Sequence, residues 1–278
     1  MTTGLLAAAL KLASGVKMIV EIATDPSRVF LTDAPRPGLH GRLRHFCSDF
    51  SLHVSAGVSD GVHVLFPEAL KPYRWLRRKK MSVFHDFVPV SRVPRRECSV
   101  RYLLLVGAPW YPKGVDVLVE AFRSISDDFP DLSLKILGHY NDSAGLQAVV
   151  RNVPRIELLA ARPNHEALEV IAGATTMVLP SRCEGMGRVL IESMAAGVPV
   201  VGSAIGGIPF LLNGGECGLL FPDGNAVELA KCLRNLLTDS ALWKRLSDAG
   251  YCRAHSELNE QTYIVEFTKM VEMATGTE

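Results

Sequence analysis

From Arg101 onward the chain alternates short, wholly apolar runs with amphipathic stretches, and few folds accommodate that pattern. RYLLLVG (Arg101 to Gly107), LSLKILG, RIELLA, TTMVLP and VPVVGS read as buried strands. Helical segments separate them, such as HEALEVIAGA and VDVLVEAFRSI, in which Val115, Leu118, Val119, Phe122 and Ile125 share one face. Strands apolar on both faces and joined through helices predict a parallel α/β sheet with right-handed crossovers. Ligands of such sheets sit beyond the carboxyl ends of the strands. NAVELAKCLRNLL, SALWKRLSDAGY and QTYIVEFTKMVEM close the chain as amphipathic helices. With 278 residues, of which 48% are hydrophobic, there is material for one large domain or two modest ones.

The first hundred residues are less regular. Leu5, Leu6, Ala9, Leu10, Leu12 and Ala13 fit a helix. No positive charge precedes this apolar run and Lys11 interrupts it, so a secretory signal is rejected. VKMIVEIA (Val16 to Ala23) reads as a buried strand, followed by a polar loop through TDAPRPGLHGRLRH. SLHVSAGVSDGVHVLFP then reads as short strand and helix pieces punctuated by Gly57 and Gly61. Phe84 to Arg96, FHDFVPVSRVPRR, holds two prolines and no periodicity. It is read as a linker between a first domain over 1–97 and a second over 98–278.

Net charge of +1 argues against a nucleic-acid binder. One basic run, Tyr73 to Lys80 (YRWLRRKK), reads as a solvated helix end or linker. Alternatively, Arg77, Arg78, Lys79 and Lys80 touch anionic lipid headgroups. No apolar run is long enough to span a bilayer, which takes about 18 residues. Cys47, Cys98, Cys183, Cys217, Cys232 and Cys252 are scattered without a C-x-x-C pair. They are expected as reduced thiols in a cytoplasmic chain, which the basic run would place at the inner face of the membrane.

The most informative stretch is Pro180 to Val201, PSRCEGMGRVLIESMAAGVPVV. A strand ends in a glycine-bearing loop, a helix runs from about Gly187 to Ala196, and Gly197 and Pro199 stop it before the next strand. Glu184 and Glu192 bracket the loop and helix with seven residues between them. The amides of Gly185, Met186, Gly187 and Arg188 fall at a helix N-terminus, a place suited to phosphate, and a carboxylate can accept both hydroxyls of a ribose. The bland alternative is an Arg188–Glu192 pair one turn apart, with Glu184 a solvated loop charge.

E-G-M-G-R-V-L-I-E-S-M-A-A-G-V-P-V-V resembles the E-x7-E signature of retaining, nucleotide-sugar-dependent glycosyltransferases of the GT-B fold, the large group 1 family (family four). The resemblance extends from about Arg101 to Asp239. It implies a complete C-terminal Rossmann-like parallel-sheet domain, preceded by a partial α/β domain on the acceptor side. It also implies that Glu184 contacts the transferred sugar and Glu192 the ribose, while Lys113 and the helix N-terminus hold the donor diphosphate. GAPWYPKG (Gly107 to Gly114) resembles the family's G-R-L-x-x-x-K-G element, with Lys113 and Gly114 matching and Ala108 in place of the arginine. Arg188 is a candidate to compensate for that lost cation. Gly138 resembles the glycine after the second strand, and RPNHE (Arg162 to Glu166) the segment bordering the base. SAIGGIP resembles the glycine pair facing the donor, through Gly206 and Gly207, with Phe210 where a glutamate is usual. No metal ligand cluster is found and no cofactor is expected; the nucleotide sugar is substrate, and a glycan or lipid-linked oligosaccharide is the implied acceptor.

Fewer than 100 residues precede the second domain, so the first is expected to begin partway through, leaving an exposed sheet edge and a tendency to self-associate. Three readings stay open: an active transferase, a donor-binding remnant or partner-dependent subunit without transfer, and a nucleotide-sugar epimerase. A P-loop kinase and a dinucleotide oxidoreductase are disfavoured, because neither G-x-x-x-x-G-K nor a strand-following G-x-G-x-x-G occurs.

Overall fold

The computed structural model describes residues 2–23, 39–96, 100–139 and 143–276. Helix α1 (Thr2–Ser14), strand β1 (Ile19–Ile22), helix α2 (Leu39–Val58), β2 (Gly61–Val64) and β3 (Met81–Val83) build a first sheet. It has three parallel strands in the order β1-β2-β3. A second sheet comprises β4 (Tyr102–Val106), β5 (Ser133–Gly138), β6 (Ile156–Ala160), β7 (Thr176–Leu179), β8 (Val200–Ser203) and β9 (Leu219–Phe221). Its order is β6-β5-β4-β7-β8-β9, every pair parallel. The connecting helices are α3 (Val115–Ile125), α4 (Ser143–Val150), α5 (Asn164–Ala172), α6 (Arg188–Ala196), the short α7 (Ile208–Leu211) and α8 (Ala226–Thr238). Helices α9 (Ser240–Ser256) and α10 (Glu260–Thr275) complete the chain.

Strand alternation divides the core. Leu103, Leu105, Leu134 and Ile136 face a layer formed by α3 and α8, with Leu118, Phe122 and Leu233. Leu104, Met177 and Val200 face the opposite layer with Leu190 and Met194 of α6. That second layer runs on without a break into Val62, Val64, Phe66 and Val88 of the first sheet and linker. All these side chains are at most 1% exposed, and each such aliphatic contributes roughly 1.5–3 kcal/mol of burial. The apolar runs are strands because both faces of the sheet are covered.

The first half departs from its sequence reading in two places. Leu39–Val58 is one helix of 20 residues, so the end of the expected polar loop and SLHVSAG are helical rather than loop and strand pieces; the loop's earlier residues, 24–38, lie outside the described ones. The basic run ends a 3-10 segment, Pro67–Arg78, and its lysines are in use. Lys79 Nζ donates to the carbonyls of Gly57 (2.6 Å) and Ser59 (3.0 Å) at the C-terminus of α2, and Lys80 Nζ to Met273 (2.7 Å) near the end of α10. Cations there satisfy carbonyls that have no helical donor. Arg77 and Arg78 stay exposed.

Helix α10 crosses back to the first sheet. Ala274 lies against Gly61 of β2, while the Tyr263 ring packs edge-on against Phe84 (5.5 Å between centroids) and tilted on Phe87 (4.7 Å). The linker is fixed to α9 as well: Arg95 lies 3.8 Å over Tyr251, and Arg96 lies 4.6 Å over Trp243 and donates to Ala174 O. Tyr263→Ala removes both contacts with the linker rings and the stacking on Phe267 within α10. It is expected to destabilise the chain by roughly 2 kcal/mol and to make α10 the first site of limited proteolysis. Unchanged thermal unfolding and an unchanged cleavage pattern would count against this docking.

Candidate active site

The sheet order reverses between β4 and β7, and the crevice of a doubly wound sheet opens at such a point. The loop after β4 carries residues 107–114; the loop after β7 carries residues 180–187. Gly114 has φ +69° and a side chain there would fall on the Pro180 carbonyl, so only glycine allows this approach of the two loops. Arg182 secures it. Its guanidinium donates to both carboxylate oxygens of Asp116, at 2.7 and 2.6 Å, and to the Tyr111 carbonyl, while lying 4.2 Å over the Tyr111 ring. Burial is the largest single effect on the Arg182 pKa and lowers it, but the hydrogen bond and charge of Asp116, with the charges of Tyr111 and Asp223, together outweigh it and raise the value.

Lys113 and Glu184 thereby meet. Lys113 Nζ donates to Glu184 Oε2 at 2.6 Å, and Ser181 Oγ donates to the same oxygen at 3.2 Å. Glu184 is not the solvated loop charge of the bland reading: its side chain is 14% exposed and the lysine's 21%. Gly187, left-handed at φ +79°, caps α6. Among the described residues, the amides of Gly185, Met186, Gly187 and Arg188 donate to no backbone carbonyl. Gly185, Met186 and Gly187 are buried, and Arg188 is exposed.

Arg188 does not have Glu192 as its ion-pair partner. Its Nε lies 3.5 Å from Asp86 Oδ2 in the linker, so this side chain joins the N-terminus of α6 to the segment between the sheets. Glu192 is half-buried one turn further along. Burial raises its pKa, against the attraction of Arg188 and a hydrogen bond with Asn164 at the start of α5. Asn164, within the RPNHE segment, was not singled out from sequence; nothing in its neighbours marks it.

The glycine pair lies against the Glu184 loop. A side chain at Gly206 would fall on the Glu184 carbonyl, and one at Gly207 would meet the Gly185 carbonyl and the Phe66 ring. Gly207 N–H donates to Gly185 O at 2.7 Å. The pair thus lets the segment after β8 close on the Glu184 loop. Phe210 packs 4.4 Å from the His85 ring, facing the linker. Burial, then Arg253, pushes the His85 imidazole down to about 4. Gly138 ends β5 on the same side of the sheet, and His139 after it is exposed.

A model for glycosyl transferases group 1 matches residues 100–239. The chain is similar to an uncharacterized glycosyltransferase of Methanocaldococcus jannaschii, 32% identical over 156 residues, covering 55% of this chain and 43% of that one. Its fold is similar to sucrose-phosphate synthase of Thermosynechococcus elongatus, with a TM-score of 0.80 at 20% identity, covering 99% of this chain and 72% of that one. It is also similar to Anabaena HepE, solved in complex with UDP-glucose, with a TM-score of 0.78 at 14% identity, covering 99% and 76%. The architecture is that of GT-B glycosyltransferases. The chain belongs to the group 1 glycosyltransferase family. It spans about half the length of the curated relatives it matches, 43 and 52% of the first two.

The raised Glu192 pKa has a consequence for stability. A carboxyl whose folded value exceeds its unfolded one stabilises the fold at acid pH, and that contribution is lost as pH rises through the folded value. Glu192→Gln is therefore expected to melt above the parent at neutral pH. The gap should close as pH falls below the ordinary carboxylate value of 4.5. A pH-independent difference would exclude burial of the charge as its cause.

Proposed function

We propose that this chain is a glycosyltransferase that moves a sugar from a nucleotide-sugar donor to an acceptor hydroxyl with retention of configuration, in the synthesis of a cell-surface glycan or lipid-linked oligosaccharide. The observation that carries this reading is the Lys113–Glu184 pair at the switch point, with Glu192 in the helix that follows the Glu184 loop. Lys113 and the amides of Gly185, Met186, Gly187 and Arg188 receive the diphosphate, Glu192 the ribose hydroxyls and Glu184 the sugar. Gly138, Gly206 and Gly207 shape the rim. Neither a metal nor a cofactor has a part in this scheme.

In the pair as it stands, the carboxylate neutralises the lysine. An arriving diphosphate offers Lys113 a more concentrated negative charge, and the lysine turns to it, leaving Glu184 facing the sugar. The bond between the anomeric carbon and the diphosphate oxygen then breaks. Lys113 and the helix N-terminus stabilise the charge on the leaving group. The acceptor oxygen attacks from the face the diphosphate leaves, and its proton passes to a diphosphate oxygen. Ala108 leaves this scheme one cation short of the family pattern. Arg188 can supply it by leaving Asp86, at a site 57% exposed where that ion pair is weak.

A second reading, donor binding without transfer, draws support from the same missing cation, with Ala108 where the family pattern has arginine. An epimerase would be told apart by its products. Titration calorimetry with UDP, GDP and ADP tests the common core of all three. Saturable binding of one nucleotide is expected, weakened at least about tenfold by Glu192→Ala. A folded sample that binds none of them sinks the proposal. Arg188→Ala should weaken binding of that nucleotide; unchanged affinity removes Arg188 from the donor site.

The chain is further proposed to act in the cytoplasm, resting on the inner face of the membrane through the basic run. Lys79 and Lys80 already cap helix ends, so Arg77 and Arg78 are left to meet headgroups. Arg77→Ala with Arg78→Ala is expected to abolish flotation with anionic vesicles, whereas Lys79→Ala should lower the melting temperature. Equal flotation of parent and double variant would refute the contact.

A further inference from the structure

Ser181 is completely buried, and its hydroxyl is turned to the candidate site. Its backbone is fixed on three sides. The Pro180 carbonyl before it lies in the space that Gly114 leaves open. The Ser181 carbonyl accepts from Ser203 Oγ at 2.7 Å, at the end of β8, and the Arg182 N–H after it donates to the Pro112 carbonyl at 2.8 Å. Ser203 is as deeply buried as Ser181. A serine side chain has a single heavy-atom rotor, so a fixed backbone in a closed pocket leaves its hydroxyl few directions. That hydroxyl donates to Glu184 Oε2 at 3.2 Å, the same oxygen that takes the Lys113 ammonium at 2.6 Å. Among the described residues no donor reaches Glu184 Oε1.

We propose that Ser181 is a positioning residue for the transferred sugar, its hydroxyl holding the Glu184 carboxylate in place after Lys113 has turned to the donor diphosphate. The inference rests on the function proposed above. The two donors on Oε2 respond differently to an arriving diphosphate. The lysine is a mobile cation on a flexible four-carbon stem, and the diphosphate competes for it. The serine is neutral and its backbone is pinned, so it stays. Once the lysine has left, Oε2 keeps one donor, and a hydroxyl does not cancel the carboxylate's charge. Without that donor the glutamate would turn about its outer torsions, and Oε1 would lose the direction in which it meets the sugar hydroxyls. Holding the group beforehand removes an ordering cost that the sugar would otherwise meet on binding. Ser203 contributes at one remove, by fixing the Ser181 carbonyl from β8.

Titration calorimetry on the full chain separates the two parts of the donor. The probes are UDP, GDP and ADP and, for whichever binds, its glucose, mannose and N-acetylglucosamine esters. Ser181→Ala is expected to bind the nucleotide within about twofold of the parent and the sugar ester about tenfold more weakly. Ser181→Cys, close in size and a poorer donor, should lose ester affinity selectively but by less. An equal loss for both ligands makes Ser181 a packing residue and overturns the assignment, as does parent-like affinity for the ester. A parent that binds the nucleotide but none of its esters overturns it too. A folded parent that binds no nucleotide removes the function itself, and this inference with it. Should Ser181→Ala fail to fold, Ser181→Cys decides, and unchanged ester affinity there overturns the assignment.

Discussion

The approach of the loop after β4 to the loop after β7 is the contact on which the candidate site depends. Parallel strands at a switch point diverge in their connections, so nothing in the sheet itself would bring residues 107–114 onto residues 180–187. Gly114 removes the steric obstacle and the bidentate Arg182–Asp116 pair supplies the attraction. Such a pair is directional as well as strong. It fixes the relative position of the two backbones, and Lys113 and Glu184 inherit that position. The segment after β8 then closes from the other side, where Gly206 and Gly207 accept the Glu184–Gly185 backbone at a distance no side chain would permit. Glu184 is thus held through its neighbours on both sides, while its own carboxylate is held by Lys113 and Ser181.

Much of this could be read in the amino acids, and what could not has an identifiable cause. Val115–Ile125 was legible to the residue because its apolar positions fall on one face, and β4, β7 and β8 because they are apolar and buried along nearly their whole length; β9, three residues long, was not read as a strand because so short a run carries no pattern. The helix after Gly187 was legible from its stops at either end. Helix α2 was not, since its sequence carries Arg42, Arg44, His45 and Asp49 among the apolar residues, and its fixed position comes from α1 and the 3-10 segment around it. Tyr73 donates to Asp49 at 2.5 Å from 24 residues away, and no local pattern announces that.

The same limit governs the side chains of the site. Glu184, Glu192 and Lys113 are visible because each lies in a motif with fixed spacing. Arg182 and Asp116 are 66 residues apart, and Asp86 lies about a hundred residues from Arg188. Motif spacing carries no information about such pairs. Phe210 illustrates the converse. As a departure from a family pattern it reads as a gap at the edge of the donor site, but the ring has a partner in His85 and packs on the linker. Replacing a carboxylate there removes a charge and adds an aromatic contact to the junction of the two sheets. The substitution therefore bears on how the halves are joined as much as on the ligand.

That junction links the site to the first sheet. Phe84 and Phe87 hold α10 through Tyr263, His85 packs tilted on Phe210 and hydrogen-bonds Arg253, and Asp86 reaches Arg188. Four consecutive linker residues thus contact four different parts of the second half. Val88, fully buried, joins the core layer that runs from β2 to α6. A ligand that draws Arg188 towards a diphosphate pulls on Asp86 in the middle of this segment. The neighbours on either side resist: Phe84, buried, and Phe87, half-buried, pack on Tyr263, and Val88 is fully buried in the apolar layer, so moving the segment would cost packing that grows with the cavity left behind. The weak, half-exposed ion pair therefore gives way before the packed rings do, and Arg188 can exchange partners while the two sheets keep their relative position.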